Sequence, residues 1–391
     1  MTRFKVLTLN SIAVAGLDRL PRERYEIASE IGHPDAILVR SADMHAREIP
    51  ESLKAVGRAG VGVNNIPVDD LSRRGIPVFN APGANANAVK ELVIAGLLLA
   101  ARHLCDAWAF VRGLDYGDDA AIDQAVEENK KRFVGFELPG KRLGVIGLGA
   151  VGVEVANAAL ALGMKVVGYD PQLTVERAWQ LSSSVEQAMS LDHVFARCDA
   201  VTLHTPLTQQ TRSLVNAQRL ALMRQGAVLL NFARAGIVDE TALLAALETG
   251  KVGAYVTDFP TRQLKDHARV TALPHLGAST GEAEEKCAIM VADQLREFLE
   301  EGNIRRSVNF PEVVMPRSQG YRIGIANANV PNMVGQITTR LAEAGLNIVD
   351  LLNKSRSDLA YTLVDVETPI SAETFERIRA IEGVLSARLI N

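Results

Sequence analysis

The chain has 391 residues, 48 % of them hydrophobic and 23 % charged, with a formal net charge of −4. That length predicts two or three domains, and the composition excludes a largely disordered chain. The weak negative charge offers no general attraction to nucleic acid or to an anionic membrane. The longest apolar run, Leu92 to Ala101, is about half of the ~20 residues a spanning helix needs. The N-terminal stretch from Met1 to Asn10 holds no apolar run long enough for a secretory signal. Cys105, Cys198 and Cys287 stand apart without CxxC spacing, so neither a disulfide framework nor a metal site is expected. These features predict a cytoplasmic enzyme with no nucleic-acid or membrane partner.

In chain order, residues 4–9, 36–40, 55–61 and 77–79 read as short apolar strands joined by polar or helical connections. Residues 88–112 have few breakers and read as one long, mostly apolar, buried helix. Residues 115–128 are polar and acidic and read as a solvated surface segment. From Lys141 the alternation sharpens, with strands at 142–146, 165–169, 200–204, 227–232 and 254–258 and helical stretches between them. This pattern predicts a doubly wound, Rossmann-type parallel sheet. A long helix follows at 282–301. Pro311, Pro316 and Ser318 then mark a linker. The last seventy residues read βαββαβ, a ferredoxin-like arrangement too small and separate to join the preceding sheet.

The cofactor signal sits in Leu143-Gly-Val-Ile-Gly147-Leu-Gly149-Ala150-Val151-Gly152, a GxGxxG between a strand and a helix. Gly147 makes the tight turn, Gly149 lets backbone approach a pyrophosphate, and Gly152 allows close helix–strand packing; the helix N-terminus supplies free N–H groups. Asp170, 18 residues beyond Gly152 at the end of the next strand, stands where a carboxylate accepts from the adenosine ribose. Pro171 and Gln172 follow it, and no adjacent cation is present to neutralise a 2′-phosphate, so NAD is favoured over NADP.

Two further segments carry candidate chemistry. Asn231-Phe-Ala-Arg234-Ala-Gly236-Ile-Val-Asp239 follows a strongly apolar strand, and Pro274-His275-Leu-Gly277-Ala-Ser-Thr280 places a histidine in a loop before the long helix. Both would fall at the carboxyl ends of strands, where open α/β sheets bind ligands.

With these motifs in order, together with Arg58-Ala59-Gly60-Val-Gly-Val-Asn-Asn-Ile66, Arg74-Gly-Ile-Pro-Val-Phe-Asn-Ala-Pro82, Leu203-His-Thr205-Pro206-Leu-Thr208 and Thr257-Asp258-Phe-Pro260, the chain resembles the D-isomer-specific 2-hydroxyacid dehydrogenases. Within them it is most similar to the branch that acts on D-3-phosphoglycerate and ends in an ACT domain. The resemblance implies a flavodoxin-like substrate domain (1–98 and 280–312) into which the NAD domain (99–279) is inserted. A linker (313–319) and an ACT-like regulatory domain (320–391) complete it. It further implies NAD-dependent oxidation of 3-phosphoglycerate to 3-phosphohydroxypyruvate, a step toward serine. His275 would be acid/base and Arg234 the anchor of the carboxylate. Thr205, Pro206, Ala233, Asp258 and Gly277 would line NAD beside Gly147, Gly149, Ala150, Val151, Gly152 and Asp170, with His204 in the same loop. Arg40, Ser41, Arg58, Ala59, Gly60 and Asn85 would seat the substrate and its phosphate. Asn329 and Asn347 would bind an L-serine effector, with Asn327 where a histidine is often found. A homodimer or homotetramer is implied.

One departure stands out. The family pairs its histidine with a glutamate shortly after the Asp-Phe-Pro segment, whereas this chain reads Phe259-Pro-Thr-Arg262-Gln263-Leu, with Asp266 three residues late. A dehydrogenase for another D-2-hydroxy acid and an NAD-sensing, corepressor-like binding protein are the alternative readings.

Overall fold

The computed structural model describes residues 3–115, 117–318 and 320–390. Met1 and Thr2 at the N-terminus, Tyr116 in the acidic stretch, Gln319 at the end of the expected linker and Asn391 lie outside the described residues. The chain divides into two compact units, Met1–Asn85 with Thr280–Asn391, and Ala86–Ser279.

In the first unit the strands Tyr25–Ala28, Phe4–Leu9, Ala36–Val39, Ala55–Arg58 and Val78–Phe79 form a parallel sheet in that spatial order. Numbered along the chain this is 2-1-3-4-5, the flavodoxin-like order. Every residue of Ala36–Val39 is buried, as a strand covered on both faces requires. The helix Gly281–Glu301 packs on this sheet. Thr280 caps it by accepting from the Ala283 N–H at 3.1 Å, and Gly302 ends it in a left-handed conformation (φ 77°). Gly57 lacks a side chain because a Cβ there would collide with Val291 of this helix.

The C-terminal part of the same unit is a separate four-stranded antiparallel sheet. Its order is Ile348–Arg356, Leu359–Val366, Tyr321–Ala328, Val384–Ile390, with helices Met333–Glu343 and Ala372–Arg379. The chain order βαββαβ is as expected. Tyr361, Leu363 and Ile390 of this sheet share a buried cluster with Phe298 and Phe310. The preceding segment is held down as well: Val313 and Met315 are buried, and Arg322, itself buried against Asp365 at 2.6 Å, donates to the carbonyls of Met315 and Pro316.

The second unit contains seven parallel strands in the order Val270–Ala272, Val252–Thr257, Ala227–Asn231, Ala200–Leu203, Arg142–Ile146, Lys165–Tyr169, Glu186–Gln187. This is the Rossmann order 3-2-1-4-5-6 with one strand added. The order reverses between Arg142–Ile146 and Ala200–Leu203, which creates the crevice where such sheets take ligands.

Two expectations need correction, and a third, the solvated acidic stretch, gains a helix. The single helix over 88–112 is two, Ala86–Arg102 and Leu104–Arg112, bent by 65° at His103, whose φ is +50°. The second of these has no buried residue and exposes Trp108, so it is not a core helix. The acidic stretch contains a regular helix, Asp119–Asn129, started by Asp118 accepting from the Ala121 N–H at 2.9 Å. The strand over 55–61 stops at Arg58, where the chain turns through Gly60. The short edge strands Tyr25–Ala28, Glu186–Gln187 and Val270–Ala272 had no clear apolar signature. Among the described residues no single helix is long and apolar enough to cross a membrane, although the bent pair would pass by length and composition.

Candidate active site

The glycine turn is built on steric necessity. Gly147 ends its strand at φ +90°, and a Cβ there would press on the His204 carbonyl and the Thr205 methyl group of the neighbouring strand end. A Cβ at Gly152 would collide with the Gly147 carbonyl oxygen. Gly149, by contrast, faces open space, with nothing within 4 Å of a hypothetical Cβ. It is also the N-cap of the helix Ala150–Ala161, with no side chain capping the free N–H groups of Ala150 and Val151. This unobstructed, donor-rich turn is what a pyrophosphate needs. Asp170 lies beside it, one carboxylate oxygen accepting from the Leu148 N–H and the other from the Gln172 N–H, each at 2.8 Å. A recess over Asp170 is walled by Leu148, Tyr169, Pro171, Leu181 and Val185, an apolar slot suited to an adenine ring. Thr205 Oγ1 is buried without a hydrogen-bond partner, an orphaned donor near the same turn. These residues fit a dinucleotide. Burial lowers His204 to about 3, so its imidazole is neutral; its Nε2 lies 3.0 Å from Thr202 Oγ1.

Along the same carboxyl edge stand the candidate reacting groups. Arg234 comes three residues after Ala227–Asn231, Asp258 directly after Val252–Thr257, and His275 three residues after Val270–Ala272. These three strands are hydrogen-bonded neighbours, so their ends present the three side chains from adjacent positions. Asn231 is fully buried and fixes the turn, donating to the Arg234 carbonyl at 3.0 Å and accepting from the Ala233 N–H at 3.2 Å. Arg234 itself is exposed and extended, its guanidinium donating, among the described residues, to the Ala233 carbonyl. Asp258 is 1 % exposed. One of its oxygens ties down the histidine loop by accepting from the N–H groups of Leu276 (3.0 Å) and Gly277 (3.1 Å), and the other has no partner. Burial raises the pKa of Asp258, while those N–H donors and the nearby charge of His275 oppose the rise. His275 is exposed and packs on the Phe259 ring, centroids 4.9 Å apart. Asp266 is engaged with Lys265 and largely exposed, so the carboxylate that interacts electrostatically with His275 is Asp258.

In the first unit, Arg40 and Arg58 stand at the carboxyl ends of neighbouring parallel strands, Val39 being in register with Arg58. Arg40 is ion-paired with Glu284 at the start of the helix Gly281–Glu301. The Arg58 guanidinium lies across Gly60, where a Cβ would strike it; Ala59 is buried. The Ser41 N–H donates to Asn10 Oδ1 at 3.2 Å, and Asn85 is half-buried just before the helix Ala86–Arg102. In the C-terminal sheet, Asn329 and Asn347 are exposed on turns flanking Tyr321–Ala328 and Ile348–Arg356. Asn329 already donates to the Ser357 carbonyl at 2.9 Å, and Asn327 is buried and donates to the Ala328 carbonyl.

Residues 94–277 match the D-isomer specific 2-hydroxyacid dehydrogenase, NAD binding domain. Over 99 % of its length the chain is 38 % identical to a D-3-phosphoglycerate dehydrogenase of Synechocystis, covering 71 % of that protein. The chain belongs to the D-isomer-specific 2-hydroxyacid dehydrogenases. A D-3-phosphoglycerate dehydrogenase of Methanocaldococcus jannaschii is 36 % identical over 85 % of the chain, which spans only 63 % of that relative's length. NAD+-bound 3-phosphoglycerate dehydrogenase from Entamoeba histolytica has a similar fold, with a TM-score of 0.60 at 24 % identity over 79 % of this chain and 99 % of that one. As a member of this family the chain carries an NAD-binding domain, and its glycine turn fits that cofactor. Sequence reasoning missed the supports of these side chains: Asn231 under Arg234 and Phe259 against His275 in the second unit, and Glu284 on Arg40 in the first. Only tertiary packing brings these partners together, so spacing gave no signal for them.

Proposed function

We propose that the chain oxidises D-3-phosphoglycerate to 3-phosphohydroxypyruvate. The observation that carries this reading is the single sheet edge that presents Arg234, Asp258 and His275 next to the glycine turn. Bound NAD supplies the acceptor for the hydride. His275 removes the hydroxyl proton as the carbon–hydrogen bond breaks, and in reverse its protonated form donates to the carbonyl oxygen. Arg234 offers its fork of donors to the α-carboxylate, a charge-assisted contact worth roughly 1.5–3 kcal/mol. Asp258 holds the loop of His275 through the Leu276 and Gly277 N–H groups. Gly147, Gly149, Ala150, Val151, Gly152, Asp170, Thr205, Pro206, Ala233 and Gly277 line the cofactor. Arg40, Ser41, Arg58, Ala59, Gly60 and Asn85 take the substrate and its phosphate.

The test is NADH formation from D-3-phosphoglycerate. His275→Ala should lower kcat by about 10²–10⁴ with NADH binding retained, and Arg234→Ala should lower kcat/KM at least as much as it weakens binding. NADH formation unchanged by both substitutions would refute the assignment. Because residues 259–264 hold no carboxylate, an NAD-sensing binding protein is the second reading; NADH binding without turnover would favour it.

The same proposal reads residues 1–98 with 280–312 as the substrate domain, 99–279 as the NAD domain, and 320–391 as an ACT-like domain binding L-serine through Asn329 and Asn347. It places the enzyme in the cytoplasm as a homodimer or homotetramer. The βαββαβ order and the exposed turns support the regulatory assignment.

A further inference from the structure

Within the first unit, a cleft of about 720 Å³ opens between the turn after the helix Val68–Arg73 and the last strand, Val384–Ile390. That volume is typical of small-ligand sites. Its two walls are joined by Ser386 Oγ donating to the Gly75 carbonyl at 2.9 Å. Lys54, Arg73, Arg74, Arg379 and Arg388 line it, against the single lining carboxylate of Glu51.

Three of the five cations are neutralised locally: Lys54 by Asp35 at 2.7 Å, Arg73 by Asp70, and Arg379 by Glu376 at 3.0 Å. Arg74 and Arg388 form no ion pair among the described residues, although the Asp35 carboxylate acts on Arg388 at longer range. Both are nevertheless fixed in place. Arg74 donates to the carbonyls of Ile49 (2.7 Å) and Pro50 (3.0 Å). Arg388 donates to the carbonyls of Phe298 and Leu299 and lies 3.9 Å from the centroid of the Phe298 ring, with its Nε–H buried and unpartnered. A guanidinium cannot shed its proton to escape this situation, and a poorly solvated cation without a counter-ion is costly. Two held positive charges without an ion-pair partner, one on each wall, match the charge of about −1.5 to −2 on a phosphate monoester at neutral pH. Arginine is also the side chain whose planar fork suits phosphate oxygens.

We propose that this cleft binds a small phosphate-bearing anion, held between Arg74 on one wall and Arg388 on the other. The site is separate from Arg40 and Arg58, and its ligand would bridge the parallel sheet and the antiparallel sheet of this unit.

Calorimetric titration of the full chain with inorganic phosphate, and separately with glycerol phosphate, tests this. The expected result is one saturable binding event that weakens about tenfold or more in Arg74→Gln and in Arg388→Gln and persists in Arg58→Gln. NADH binding, followed by fluorescence, should be unchanged in the two cleft variants. Should Arg388→Gln fail to fold, Arg74→Gln and Lys54→Glu at the more accessible wall carry the test alone. Tighter binding of glycerol phosphate than of phosphate would identify an organic phosphomonoester as the ligand class, and equal binding would identify the free anion. No saturable binding to the native chain, or binding lost only in Arg58→Gln, would overturn the proposal.

Discussion

At the residue scale, the most constrained positions are those where an added atom has nowhere to go. Gly152 faces the Gly147 carbonyl, so Gly152→Ala must push the helix Ala150–Ala161 off its strand, at about 1–3 kcal/mol. Urea denaturation should show this loss, and NADH titration a weaker cofactor affinity; an unaltered variant would contradict the packing role. His204 gives a pH-dependent prediction. Its folded-state value of about 3 lies below the ordinary 6.5, so the unfolded chain binds the extra proton between those values. Its contribution to stability is complete above pH 6.5 and is lost as pH falls toward 3, with a slope of up to about 1.4 kcal/mol per pH unit. His204→Gln should flatten the acid limb of a Tm-against-pH curve between those limits. The GxGxxG run and Asp170 were legible because each glycine answers a local steric demand. The orphaned oxygens of Thr205 and Asp258 were not, because burial depends on neighbours distant in sequence.

At the scale of single elements, apolar runs bounded by breakers located most of the buried central strands to within a residue or two, the strand ending at Arg58 being the exception. Arg142–Ile146 and Lys165–Tyr169 agree with expectation at both ends. The edge strands escaped because half of each faces solvent and they are short, Glu186–Gln187 having both residues exposed. The break at His103 was hidden for another reason: one left-handed residue bends a helix without interrupting its apolar composition. The C-terminal sheet rests on the buried Arg322–Asp365 pair, both side chains 1 % exposed. Removing one partner leaves a bare buried charge, so Asp365→Ala should cost about 3–5 kcal/mol. Thermal denaturation of that variant checks it, and a Tm close to that of the native chain would show that the pair is dispensable.

For the whole molecule, the alternation of strands and helices was enough to anticipate two parallel sheets and a small antiparallel one, since layer order follows from element order. The extent of packing was not readable. The stretch containing Pro311 and Pro316 looked like a free linker, yet Val313 and Met315 are buried, and Tyr361, Leu363 and Ile390 share a core with Phe298 and Phe310. Truncation before Gly320 would strip apolar cover from Phe298 and Phe310, and the truncated chain should unfold at lower denaturant than the full one. The proposed inhibition by serine is therefore better tested in the intact chain. Asn347→Ala should raise the serine concentration needed for inhibition while leaving turnover in its absence unchanged; identical inhibition curves would place the effector elsewhere.

The most direct measurement is the rate of NADH appearance when the chain is given NAD with a panel of phosphorylated and plain D-2-hydroxy acids. The reaction should run fastest on D-3-phosphoglycerate and collapse in His275→Ala. A chain that binds NADH yet turns over none of the panel, or that reacts equally well after loss of His275, would contradict the account.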